Sequence, residues 1–216
     1  MRQPITFGII ATLAVAAVAT AGESRTIEGR ASLAAGQEVR IDFPVGELEV
    51  VGVAGDEFRI TIEGRCKRHS SRCADHLDDI EVDIHESRGV IWVEVAPHSR
   101  WRWWNSLEID AQVQHPRDRP LSIDMGVGEL EVEGTLSDLE IDLGVGEVTV
   151  DLPVAAVATV TMDAGIGETE LLVPDGWVRD ERSFLVGSES SWRDGPGSAR
   201  INVEVGVGEG VVRLDG

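Results

Sequence analysis

The densest cluster of ligand-type side chains follows the pattern Cys66-x2-His69-x3-Cys73-x2-His76, and Cys66 and Cys73 are the sequence's two cysteines. Two chemistries fit it. In an oxidising compartment, cysteines this close join as a disulfide and close a short loop. In a reducing one, two thiolates and two imidazoles could surround zinc, although the spacing matches no standard finger. The disulfide is the expectation; no metal or cofactor is assigned.

A second group is aromatic. Trp101, Trp103 and Trp104 stand beside Arg100 and Arg102 in a stretch bounded by Pro97 and Asn105. Tryptophans outside a core stack on sugars or lie at membrane interfaces. They could equally fold back and cap one end of the domain. Trp92 reads as a core residue, and Trp177 and Trp192 as a second cap. Catalytic signals are weak by comparison. There is no Gly-x-Ser-x-Gly, and His85, His98 and His115 are isolated in sequence. With 39 acids, a carboxylate pair at glycosidase distance means nothing by itself. No catalytic residue is assigned, and the expectation is a protein that is not an enzyme.

The third group is carried by a repeat. The phrase Met125-Gly-Val-Gly-Glu-Leu-Glu-Val132 returns at Leu143–Val150, Ala164–Leu171 and Val205–Val212, with an earlier copy at Phe43–Val50. Its corner glutamates are Glu47, Glu129, Glu147, Glu168 and Glu209, and successive later steps are 18, 21 and 41 residues. A period near 20 signals stacked supersecondary units. Five residues before each glutamate stands another acid: Asp42, Asp124, Asp142, Asp163 and Glu204. Stacking in register would turn these ten acids into two columns. Such columns either stay solvated and discourage edge pairing or share cations between units.

The elements that must position these columns are strands. Leu121, Ile123, Met125 and Val127 alternate with polar residues, and then Leu130 and Val132 alternate in the opposite phase. Side chains in a strand change face at every residue, so the phase slip would send the second half outward. A bulge or corner at Gly128-Glu129 corrects it, and glycine tolerates the positive φ that this needs. Each unit therefore reads as strand, corner, strand. The expected fold is all-β: a β-solenoid or parallel β-helix-like stack of two-strand repeats of about 20 residues. A two-sheet sandwich or roll is the alternative.

Residues 1–21 have the layout of a signal peptide. Arg2 is followed by an apolar run from Phe7 to Val18 and by Ala19-Thr20-Ala21 before Gly22. Residues 22–36 read as a flexible lead-in, and residues 37–216 as one β-repeat domain, most regular over 121–173. The net charge of −20 opposes binding to nucleic acid or anionic lipid and favours cations or basic partners.

The signal peptide, the recurring Ile-Asp-x-Gly-Val-Gly-Glu-Leu-x-Val phrase and the 20-residue period together resemble the bacterial adhesin-like proteins of the DUF4097 type. The resemblance runs from Val39 to Leu214. It implies a solenoid-like cell-envelope protein and carries over no catalytic residues. The expected function is an exported, non-catalytic binding or structural module, periplasmic or at the cell surface, with an envelope protein or glycan as partner. A glycan-active β-helix enzyme and a cation-dependent envelope module are the alternatives.

Overall fold

Each Gly-x-Gly-Glu phrase lies in the middle of one long strand. A computed structural model of the chain describes residues 24–67, 71–97, 107–174, 178–182, 187–193 and 195–216. Residues 1–21, read in sequence as a signal peptide, His69, Trp101, Trp103, Trp104, Trp177 and residues 184–186, read in sequence as an imperfect strand, lie outside these residues.

The strands are β1 (Ser24–Ser32), β2 (Glu38–Val53), β3 (Glu57–Cys66), β4 (Ile80–Ser87), β5 (Val90–Pro97), β6 (Leu107–Pro116), β7 (Leu121–Glu133), β8 (Leu139–Pro153), β9 (Val157–Leu172), β10 (Arg179–Arg182), β11 (Ser188–Trp192) and β12 (Ala199–Asp215). They form one open, mixed sheet in the order β1-β3-β6-β2-β7-β8-β12-β9-β11-β10, and β5 and β4 branch off at β2. The five strands that carry the repeat are parallel neighbours, with Glu47, Glu129, Glu147, Glu209 and Glu168 side by side. On one side β6 continues the parallel run beside β2, with β3 and β1 pairing antiparallel beyond it; on the other side β11 and β10 pair antiparallel beyond β9.

Chain length forces the long strands to fold over. Leu121 pairs with Leu139 and Glu133 with Asp151, yet only residues 134–138 join β7 to β8. A straight strand of 13 residues spans about 40 Å. Six chain steps reach at most about 22 Å. The strand must bend so that its end returns near its start. Gly46, Gly128, Gly146, Gly167 and Gly208 supply the bend, with φ between +133° and +148°. Met125 is buried before the corner and Leu130 after it, and the other copies follow suit, except that Gly210 and Thr169 replace the first apolar residue after the corner. The two arms thus enclose the core between them.

The corner glycines are also places where backbones touch. A β-carbon on Gly146 would overlap the carbonyl oxygen of Gly128, and one on Gly208 would overlap that of Gly146. Gly167 meets Gly208, and Gly128 meets Gly46, in the same way.

Four sequence expectations are corrected here. First, Val127, Val145, Val207 and Ile166 do not face the core; they are 42–51 % exposed. The corner needs four residues between the buried Met125 and Leu130, and the valine sits at its outer apex. Second, residues 22–36 are not a flexible lead-in throughout. β1 pairs with β3 along its whole length and buries Ile27 and Ala31. Third, Trp92 is not core. Its neighbours Ile91 and Val93 face inward, and its ring lies on the outside under Arg40, 5.4 Å away. Fourth, the copies do not stack in chain order, as a simple solenoid would: β12 inserts between β8 and β9.

The insertion after β3 contains a short helix, α1 (Ser71–Asp78), where sequence showed only irregularity. The Cys66–Cys73 disulfide ties it to β3. The Arg25 guanidinium donates to the carbonyl oxygens of Leu77, Asp78 and Ile80 at 2.7–3.1 Å, which satisfies the helix C-terminus with a positive charge. At the opposite end, the Thr169 hydroxyl beyond the corner meets Ser188 at 3.1 Å and Ser190 at 2.8 Å, joining the two layers. Trp192 is buried there beside β9.

The corner contact predicts unequal costs for two glycine substitutions. Gly146→Ala places a methyl against a fixed backbone oxygen at positive φ and should cost at least about 3 kcal/mol, lowering Tm by about 6–12 °C. Gly36→Ala, at φ +73° with open space around it, should cost only about 1–2 kcal/mol. Thermal melts of the two variants test this; equal losses would remove the backbone contact as the cause.

Candidate functional site

The corner displays nearly the same short set of groups on every copy: an acid, a glycine (Pro44 in β2), an aliphatic residue, a second glycine and a glutamate. Because the register is exact across five strands, each becomes a row. Asp42, Asp124, Asp142, Glu204 and Asp163 form the first acidic row, in stack order. Val45, Val127, Val145, Val207 and Ile166 form the aliphatic row. Glu47, Glu129, Glu147, Glu209 and Glu168 form the second acidic row. All ten acids are exposed. Sequence reasoning placed both acidic columns correctly. It missed the aliphatic row because alternation alone assigned those residues to the core.

Below the second acidic row the outer face is concave. A trough of about 600 Å³ runs across the second arms of β2, β7 and β8 and the adjoining β6 and β3. Seven carboxylates line it, among them Glu47, Glu129 and Glu147, against the guanidiniums of Arg65 and Arg213. Arg65 is already held by Glu63 at 3.1 Å and Asp110 at 2.8 Å. Arg213 lies 3.5 Å from Asp151. The trough therefore presents net negative charge to whatever approaches. Glu131, Glu133 and Asp151, at the far rim, converge closely enough to share a cation.

The first acidic row shows the strain of like charges. Partial burial, and then the neighbouring Asp124 and Glu94, push the Asp42 carboxyl above its usual range. Burial, and then Asp124 and Glu204, do the same to Asp142. His115 behaves differently. It is fully buried against the edge of Phe58, and its Nε2 donates to the Arg119 carbonyl at 2.9 Å. Burial holds its imidazole below the usual 6.5.

Of the other expected site residues, Cys66 and Cys73 form the expected disulfide. Their sulfurs are bonded to each other, so in this state they offer a metal no thiolate. His69 and the tryptophans Trp101, Trp103 and Trp104 lie outside the described residues, so their proposed roles rest on sequence alone. Among the described residues, no helix is long and apolar enough to cross a membrane.

The sequence of residues 19–172 matches the family described as the N-terminal domain of toast_rack, DUF2154. The chain belongs to this family. The toast_rack match covers β1 through β9 and stops short of β12, the strand that enters the middle of the stack. No curated protein matches the chain. A crystal structure of a candidate cell adhesion protein from Clostridium sporogenes ATCC 15579 superposes with a TM-score of 0.51 at 15% identity, covering 87% of this chain and 99% of that one. At that identity the likeness shows the fold. A candidate adhesin from Bacteroides fragilis NCTC 9343 aligns at 10% identity and TM-score 0.30, over 87% of this chain and 96% of its own. A candidate lipid-binding protein from Parabacteroides distasonis ATCC 8503 aligns at 9% and 0.27, over 90% and 98%. Scores this low carry no argument. Sequence resemblance pointed to the DUF4097 type; the family shown is DUF2154, with neighbours named as adhesins.

The charge pattern of this toast_rack domain predicts opposing pH effects. His115 has a folded value below its unfolded one, so its contribution is complete above about 6.5 and is lost as pH falls below that. Asp42 and Asp142 have raised folded values, so protonating them at lower pH relieves repulsion. Wild-type stability should fall between pH 7.5 and 5.5, and His115→Leu should flatten that slope whatever its absolute stability. Asp142→Asn should raise Tm at pH 7 by about 1–3 °C, a small effect because the row is exposed. Melts across pH read both; an unchanged slope in His115→Leu would rule out the histidine as its source.

Proposed function

We propose that this chain is an exported, non-catalytic protein of the bacterial cell envelope that acts as an adhesin-like binding module. The observation that carries this reading is the repetition itself. Five in-register copies, solenoid-like in their stacking, present one set of surface groups five times along a face. Catalysis needs a few unlike groups at one point. Repeated identical groups suit an extended ligand that is gripped along its length. The disulfide supports an oxidising compartment. The expected signal peptide, with cleavage before Gly22, supports export. The name of the neighbour that superposes, a candidate cell adhesion protein, agrees with this reading.

Expression of the full chain in a bacterium tests the reading directly. The envelope fraction should contain a chain that starts at Gly22 with Cys66 and Cys73 oxidised. The purified protein should retain a specific protein or glycan from an envelope extract. Recovery of the intact 216-residue chain from cytosol alone would defeat export. Release of new hydrolysis or elimination products from envelope polysaccharides would defeat the non-catalytic assignment.

A further inference from the structure

Five large hydrophobic side chains stand out as exposed among the described residues, and four of them form one row: Val127, Val145, Ile166 and Val207. Soluble proteins scatter single exposed aliphatics over their surfaces; a contiguous row marks a contact surface. The half-exposed valines stand side by side along the stack, and packing at the corner accounts for part of their burial. It does not account for 42–51 % of each side chain facing water.

The surroundings of the row decide what could cover it. Neighbouring strands are about 4.8 Å apart, so five residues make a ridge about 19 Å long. Glutamates run along one side, two residues from the ridge, and the Asp42-to-Asp163 row along the other, three residues away. The intervening glycines carry no side chains, so shallow flat strips separate the ridge from each acidic row, except at β2, where Pro44 stands between Val45 and Asp42. Measured along the strands, these distances are about 7 Å and 10 Å. A second copy of this chain would bring acidic rows against acidic rows. An anionic membrane surface would meet the same repulsion from a chain of net charge −20.

We propose that the ridge is the docking surface for a basic amphipathic helix of a partner protein, lying across the strands along the stack axis. A helix rises about 1.5 Å per residue, so about 13 residues match the ridge. Its apolar stripe covers Val127, Val145, Val207 and Ile166. Its width of about 10–12 Å places lysines or arginines on its two flanks above the two acidic rows. The apolar contact supplies affinity, and the acidic rows supply orientation and a faster encounter. This assignment rests on the reading of the chain as a binding module and names the chemistry of its partner.

The test uses the full mature chain and a labelled 14-residue helical peptide with one leucine stripe flanked on both sides by lysine and arginine. Anisotropy titration should give saturable binding that weakens as salt rises from 0.05 to 0.5 M. The triple variant Val127→Ser, Val145→Ser, Val207→Ser should weaken it roughly tenfold or more. The triple variant Glu129→Gln, Glu147→Gln, Glu209→Gln should weaken it and reduce its salt dependence. Far-UV spectra and melts establish that each variant is folded. If the serine variant does not fold, a photoreactive leucine in the peptide, applied to the wild type, should crosslink at residues 127, 145 and 207. Equal affinity for a peptide of the same composition with leucine and lysine mixed around the helix would overturn the proposal, since charge alone would then explain binding. So would crosslinks elsewhere, absence of saturable binding, or dimerisation that the valine substitutions abolish. Ridge-dependent sedimentation with lipid vesicles would overturn it in favour of a membrane. Failure of the peptide alongside export and capture of an envelope ligand would sink this proposal alone. Peptide binding by a chain found only in cytosol would sink the envelope assignment alone.

Discussion

A carbonyl oxygen pressed against the α-carbon of a glycine in the next strand is the contact on which the rest of this fold depends. At each corner the strand must turn over within four residues. The only way to do so in five parallel neighbours at once is to let the bends nest. Nesting leaves no room for a β-carbon at Gly46, Gly128, Gly146, Gly208 or Gly167. It also fixes the register. A strand shifted by one residue would put a side chain into that contact and turn its apolar residues out of the core. Register, burial and the composition of the outer surface are therefore set at one place in each strand.

That economy has a counterpart on the surface. Once corners nest, any residue type placed near a corner is multiplied along the stack. Acids are multiplied into rows, where partial burial first and like-charged neighbours second raise Asp42 and Asp142. Aliphatics are multiplied into a ridge. Losing one member of a row changes only a fraction of such a face, whereas losing one corner glycine disrupts two strands. The same short phrase is therefore strict at its second glycine, the one with positive φ, whereas the first gives way to Pro44 in β2.

Much of this was legible in the sequence. The phase slip between Met125 and Leu130 revealed the corner, and the constant spacing from acid to glutamate revealed both acidic rows. What escaped notice has physical causes. Alternation treats every second residue as inward, so it could not show that Val127 rides on the outside of a bend rather than within a strand. The step of 41 residues from Glu168 to Glu209 is about two periods of 20. In the structure it contains two antiparallel strands and a return path to the centre of the sheet, and pairing partners so far apart leave no local trace. The outward face of Trp92 depends on which register β5 adopts beside β2. Burial of His115 depends on the turn at 117–120 folding over it. Neither follows from neighbouring residues alone.

The position of β12 sets the timetable of assembly. Until residues 199–215 have been made, β8 and β9 are separated by a slot one strand wide. Each holds a row of unsatisfied amides and carbonyls toward the gap, and the apolar floor beneath lies open. β12 closes both edges at once, with Ile201 meeting Leu139 on one side and Val160 on the other. Contacts this remote form slowly, so the sheet stays unfinished until the last strand arrives, a delay built into the chain. Here the delay comes from the order in which the strands are joined.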